Sequence, residues 1–478
     1  MNSLSKSSIK ANEDSIVSRV SLTTKIFVWS VLIEPLIFFH VVPQNISGIG
    51  GNISRLLQLI VLIILIFKVL IVGKARFINP FSLLYRNFTY FYILSVIVGI
   101  LGYFYGSYSF NLSDEFLESA KYSSTGHSFL SFLVHSEYFR PVFEYFIALY
   151  FFVYFVVLTQ YMLNTKEAIN YFFKCFNFVF LTCLIIGFAD LLFQALFYEE
   201  YWGIPRYLAD GLKVKGFRFH SIIGEPRDAF SFLIMSISIL TIKDFFYKER
   251  KLTFFWIVLI SIAAFLTFSF SGILGIIFSV GLLFVFYLPS LNFKKQLLIF
   301  ISICFILFIV FINVKYSPRM MLYYDALLNV YQSLNTGGPL NPVVIQTMNN
   351  IYPIWHLWLE VREFNFFHLF FGNGYGSTSV INNYYLNERA IINPNASIIR
   401  MLYENGIIGT FMFIFVFLTP LKVLFIDDKI YNKLKFLMIV MIAMYFAHRS
   451  VGVYVFFGIS LAVLRYKLTE MKLNSSYS

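Results

Sequence analysis

Long apolar runs cut by short polar connections recur along the chain from residue 25 to residue 465. A helix needs about 20 mostly apolar residues to cross the hydrocarbon layer of a bilayer. The runs therefore predict spans at 25–42, 54–73, 87–106, 140–162, 171–197, 229–246, 252–270, 272–289, 296–314, 404–424, 433–447 and 449–465. That makes twelve, the last two short. Between the ninth and tenth spans lies a segment, 315–403, too long for a plain connection.

Lys and Arg gather in cytoplasmic loops, so alternating the connections orients the chain. One set holds Lys6, Lys10 and Arg19, then Lys74, Arg76 and Arg86, Lys166, Lys248 with Arg250 and Lys251, Lys294 and Lys295, Lys422, Lys429 and Lys433, and Lys467 and Lys472. Both termini fall on that side and are expected in the cytoplasm. The expected organisation is a cytoplasmic tail over 1–24, nine spans over 25–314, a large outer segment over 315–403, three spans over 404–465 and a cytoplasmic tail over 466–478. The polar first 24 residues lack the apolar core and cleavage site of a signal peptide, so the first span directs insertion.

Composition agrees with this pattern: 59% of residues are apolar, 20% aromatic and 13% charged, far from a soluble domain. The net charge of +12 follows from topology and does not call for nucleic acid. Cys175, Cys183 and Cys304 all lie in apolar runs, which excludes a disulfide framework or a thiolate metal cluster.

One outer loop breaks the charge pattern. Residues 198–228 carry Arg206, Lys213, Lys215, Arg218 and Arg227, with His220, Glu225 and Asp228 among them. Cations gathered at the outer leaflet suit an anion such as a lipid phosphate, and the planar fork of Arg suits it best. Tolerated scatter in a statistical rule is the alternative.

In the outer segment, YPIWHLWLEVREFNFFHLFFGNGYGSTS over 352–379 predicts a helix lying at the membrane surface, followed by a Gly-rich turn. Trp355, Trp358, Leu359 and Phe366 fall near its apolar face, with Glu360, Arg362 and Glu363 turned away or toward a cavity. The neighbouring sequence is rich in Asn, Tyr and Gly, a mixture suited to sugar rings, with Trp355 and Tyr375 as candidate contacts. There is no GxxxxGK[ST] loop, no HExxH and no CxxC, and no histidines at metal-ligand spacing. No metal or other cofactor is expected, and a reaction here must use a bond already activated in its substrate.

Four segments together resemble the superfamily of Wzy-type O-antigen polymerases and O-antigen ligases. They are Arg218 with Gly224-Glu225-Pro226; TFSFSGILG at 267–275; IWHLWLEVREF followed by Gly372, Gly374 and Gly376; and NPNASIIRMLYENGIIGTFMF at 393–413. Asn395 stands where ligases carry a histidine, and Ser269-Phe270-Ser271 where they carry an arginine, which favours polymerase over ligase. The resemblance implies an all-α polytopic membrane protein with a GT-C-like arrangement of about twelve helices and a large helical periplasmic loop. It further implies a bacterial inner-membrane enzyme acting at the periplasmic face on undecaprenyl-diphosphate-linked oligosaccharides, beside a flippase and a chain-length regulator. Ligase and lipid-linked glycan flippase are the alternatives.

For such a transfer, Arg218 and Arg227 would meet charge developing on the leaving diphosphate, and Glu225 would accept the acceptor hydroxyl's proton, with His220 as rival base. Glu225 equally fits a cap on the sixth span or a partner for Arg227. Lys215, Asn395, Arg400 and Arg449 are expected substrate contacts, although Arg400 equally suits an anchor at the interface. Glu34, Glu144 and Asp190 lie within or near spans, where ionisable groups mark functional sites. A hydrogen-bonded kink at Glu34-Pro35 is the alternative for the first of them.

Overall fold

A computed structural model of the chain describes residues 20–36, 40–42, 51–72, 82–105, 139–197, 218–219, 221–223, 226–247, 250–267, 292–294, 297, 301, 318–336, 351–374, 377, 397–419 and 449–475. The expected spans at 272–289 and 433–447, and nearly all of that at 296–314, lie outside them.

The first helix, α1, runs over Leu22–Leu32, its N-terminus capped by Ser21, whose Oγ accepts from Thr24 N at 3.1 Å. The expected span to residue 42 is corrected here, because the helix stops at Leu32. Pro35 has no N–H to continue the ladder, and it restricts Glu34 before it. The chain then forms a small antiparallel pair, β1 at His40–Val42 with β2 at Gly51–Asn52. Apart from this pair, the described secondary structure is helical.

Next come α2 (Ile53–Val72) and α3 (Ser82–Tyr105), close to the expected bounds. The fourth span is one rod in three pieces: α4 (Phe139–Phe151), a π-helical stretch Phe152–Leu158, and α5 (Thr159–Met162). After it stand α6 (Lys166–Phe197), a 3-10 turn Ser221–Ile223, α7 (Pro226–Tyr247) and α8 (Arg250–Leu266). Pro226 opens α7 at a position where a missing N–H costs nothing. The long segment expected between the ninth and tenth spans contains α9 (Pro318–Thr336), α10 (Ile351–Arg362) and α11 (Phe367–Phe371). Then α12 covers Ser397–Leu418, starting ahead of the expected 404, and α13 covers Arg449–Ser475, continuing helical past the expected 465.

Three described helices are long and apolar enough to cross a membrane, at Tyr145–Met162, Lys166–Phe193 and Ile398–Leu418. Their surfaces invert the soluble pattern. On α2, Leu56, Leu59, Ile63, Ile66, Phe67 and Leu70 are exposed at helical spacing, while Ser54 and Gln58 are buried. Apolar residues outward and polar ones inward are what lipid requires of a helix bundle. The chain is a helical membrane protein.

Aromatic rings fill the bundle. Phe88 of α3 stacks on Phe152 at 3.5 Å between centroids, and Phe413 and Phe417 of α12 pack around Tyr454 of α13. Gly458 of α13 lies against the π-helical stretch so closely that a Cβ there would run into the Phe155 carbonyl. A small residue lets two backbones meet, and the π turn projects the carbonyl that makes the meeting tight.

Candidate functional site

The chain that follows α11 is fastened to α12 by a backbone-to-backbone clasp. After α11 the chain turns at Gly372 (φ 82°) and Gly374 (φ 89°), and the helical course of α12 is broken at Gly406 (φ 64°). All three conformations favour glycine. Asn373 N donates to Tyr403 O at 2.9 Å and Gly374 N to Glu404 O at 2.8 Å. A Cβ on Gly372 would sit 2.5 Å from Asn405 N and Glu404 C, and one on Gly406 would strike the backbone of Phe370 and Phe371. The two glycines thus let residues 370–374 and 403–406 interlock without side chains between them.

Polar side chains are enclosed behind the clasp. His356 and Glu360 lie one turn apart on the same face of α10, both buried. His368 of α11, 2% exposed, donates from Nδ1 to Glu360 Oε1 at 2.8 Å. Glu360 Oε2 and His368 Nε2 have no hydrogen-bond partner among the described residues. Tyr403 OH pairs with His356 Nδ1 at 3.3 Å. Burial pushes His356 down to about 4, against the opposing pull of Glu360, so its ring is neutral at pH 7. One turn before the clasp, Arg400 Nε donates to Glu404 Oε1 at 3.0 Å; the Glu404 side chain is 1% exposed. An arginine held through Nε by a buried carboxylate is fixed in place on its helix.

Arg218 is built into a second junction. Its Nε donates to Thr267 O at 2.9 Å, and Phe219 N donates to Leu266 O at 2.8 Å, so the stretch caps the C-terminal end of α8. Beside it, Phe219 lies over Gly187 of α6 and Ser221 Oγ donates to Cys183 O at 2.6 Å. Asp190, fully buried, is further along this part of α6. A cation on a helix C-terminus is favoured by the helix dipole.

Other expected site residues fall as follows. Arg227 and Arg449 lie at the first turns of α7 and α13. Lys215, His220, Glu225, Tyr375 and Asn395 lie outside the described residues. Trp355 is 3% exposed, so its ring packs within the protein, and Phe366, expected on the apolar face of a helix lying at the membrane surface, is 43% exposed. Glu360 is buried, whereas Arg362 and Glu363 face out. Glu34 lies just past the end of α1 and is hydrogen-bonded: it accepts from Ser54 and from Gln58 Nε2 at 2.9 Å, with Arg55 Nε at 3.8 Å. Tyr150 OH completes this cluster by donating to Gln58 Oε1 at 2.6 Å.

The histidine and glutamate cluster behind the clasp escaped sequence reasoning. Its only local signal is the i, i+4 spacing of His356 and Glu360; His368 and Tyr403 join through the fold. Among the described residues no group of three or more His, Cys, Asp or Glu side chains is placed to hold a metal ion. Comparison with known proteins returned no matching family model and no matching curated protein.

Proposed function

We propose that the chain is a polymerase of lipid-linked surface-glycan repeats, working at the periplasmic face of a bacterial inner membrane on a bundle of about twelve GT-C-like spanning helices. One observation carries the reading. Segments that resemble the polymerase and ligase superfamily, far apart in the chain, pair off in space: 372–374 against 403–406, and 218–219 against 266–267.

The growing glycan is joined through its anomeric carbon to undecaprenyl diphosphate. In the transfer that carbon–oxygen bond breaks, and a new bond forms to a hydroxyl oxygen of an incoming lipid-linked repeat. The diphosphate leaves with the bonding pair. Arg218 and Arg227 meet the developing charge, worth about 3 kcal/mol for one well-placed contact. Glu225 takes the hydroxyl proton, and His220 is the rival base. Arg400, steadied by Glu404, binds the acceptor's diphosphate, with Lys215, Asn395 and Arg449 as further substrate contacts. Tyr375 is a further sugar contact in this reading. A flippase supplies the repeats, and a chain-length regulator is a partner.

The test is the surface glycan of cells lacking the protein. The polymerase reading expects a single repeat on the lipid core. Complete loss of repeats would instead favour a ligase or a flippase.

A further inference from the structure

We propose that the turn from Phe364 to Phe371 is a wedge lodged among the lipid acyl chains of the leaflet that α12 enters. The first observation is local. Helix α10 ends with Asn365 N donating to Glu360 O at 2.9 Å and Phe364 N to Val361 O at 3.0 Å, the paired closure of a Schellman motif. Its left-handed position, where glycine is the usual residue, is held by Phe364 at φ 59°. A Cβ makes that conformation unfavourable, and the ring gains nothing from the protein in return, being 84% exposed. A strained backbone carrying an exposed aromatic ring makes sense where something outside the protein holds the ring.

The second observation is the company it keeps. Phe366, Phe370 and Phe371 are exposed at 43%, 44% and 37%, which makes the turn an aromatic patch. The backbone of Phe370 and Phe371 abuts Gly406, and Gly406 lies inside the apolar span Ile398–Leu418. Just beyond, Ile408, Phe411 and Phe415 form an exposed stripe along that span. The backbone of the patch thus meets the span at Gly406. On its other side the polarity changes: Arg362 is exposed and its guanidinium stands 5.2 Å over the Trp358 ring. A tryptophan and a cation beside a cluster of phenylalanines reproduce the order of headgroup and chain regions. A soluble partner would leave the contact with the span unexplained.

The inference needs a bilayer but no glycan, so it stands or falls apart from the polymerase reading. In a background with Cys175, Cys183 and Cys304 replaced by alanine and shown to be monodisperse, single cysteines at 364, 370, 411 and 332 would each carry a bimane fluorophore. The protein would be reconstituted in nanodiscs of phosphatidylcholine with brominated chains. Labels at 364 and 370 should lose fluorescence to nearly the extent seen at 411, and several-fold more than at the exposed polar position 332. Quenching at 364 and 370 no greater than at 332 overturns the proposal. Phe364→Gly, measured by melting in detergent, gives a second arm. Glycine relieves the left-handed strain, so the midpoint should hold or rise while quenching at 370 falls; a lowered midpoint would mean that the ring packs on protein, and the wedge would be wrong.

Discussion

The aromatic bundle and the glycine clasp hold this protein together in opposite ways. In the bundle, rings such as Phe88, Phe152, Phe413 and Tyr454 meet through broad surfaces that can repack. At the clasp, residues 370–374 and 403–406 meet backbone to backbone, with positive φ angles on both sides and no room for a Cβ. Dispersion between rings is spread over many weak contacts, whereas a glycine approach is all or none. Away from the Gly458 contact, stability of the bundle should therefore degrade gradually, and that of the clasp abruptly. The clasp also adjoins the Arg400–Glu404 pair and the buried His356, Glu360 and His368 cluster.

The largest effect is expected from Gly406→Ala. Left-handed strain and collision with the Phe370–Phe371 backbone together should cost more than about 3 kcal/mol. Thermal melting in detergent should show a lowered midpoint or a separate early transition, and an unchanged melt would mean that the clasp yields easily.

Acid should loosen the same region. His356 holds its proton only below about 4 in the folded protein, but near 6.5 when unfolded. The unfolded state thus takes up a proton first, and the stability given by a neutral His356 is complete above pH 6.5 and lost as pH falls toward 4. The full difference is on the order of 3 kcal/mol. Melting midpoints followed from about pH 7.5 to about pH 4 should fall more steeply for the wild type than for His356→Phe. Parallel slopes would remove His356 from the account.

The smallest effect belongs to the bundle. Phe152→Leu deletes one stacked ring on Phe88 while keeping an apolar filler, and should cost about 1 kcal/mol. A loss as large as that of Gly406→Ala would erase the contrast between the two regions.

How much of this is legible in the sequence follows from the range of the forces involved. Hydropathy records α2, α3, the rod over 139–162, α6, α7 and α8 nearly to their ends, because each span must satisfy lipid by itself. It overextends the first span, since the apolar run continues past Pro35 while the helix does not. Pro35 marks the neighbourhood in which that helix ends. The glycines at 372, 374 and 406 are visible as a pattern, but that Gly372 and Gly406 close on the opposing side of the clasp depends on a contact no local rule encodes. For the same reason His368 gives no signal, because its partner Glu360 lies beyond a helix end and a turn. Trp355 suits a sugar platform by its type alone, and that its ring is buried depends on packing no local rule encodes.

Whether the chain joins lipid-linked repeats to one another can be read from the purified protein in nanodiscs, given a single undecaprenyl-diphosphate-linked repeat in buffer containing EDTA, with products followed by mass spectrometry. A polymerase should give a ladder of lipid-linked oligomers rising in whole repeats, with one free undecaprenyl diphosphate released for each bond made. The ladder should be much weaker from Arg218→Lys, which keeps the charge and loses the fork. Unchanged single repeat, or activity restored only by adding back a divalent ion, would contradict the proposed transfer.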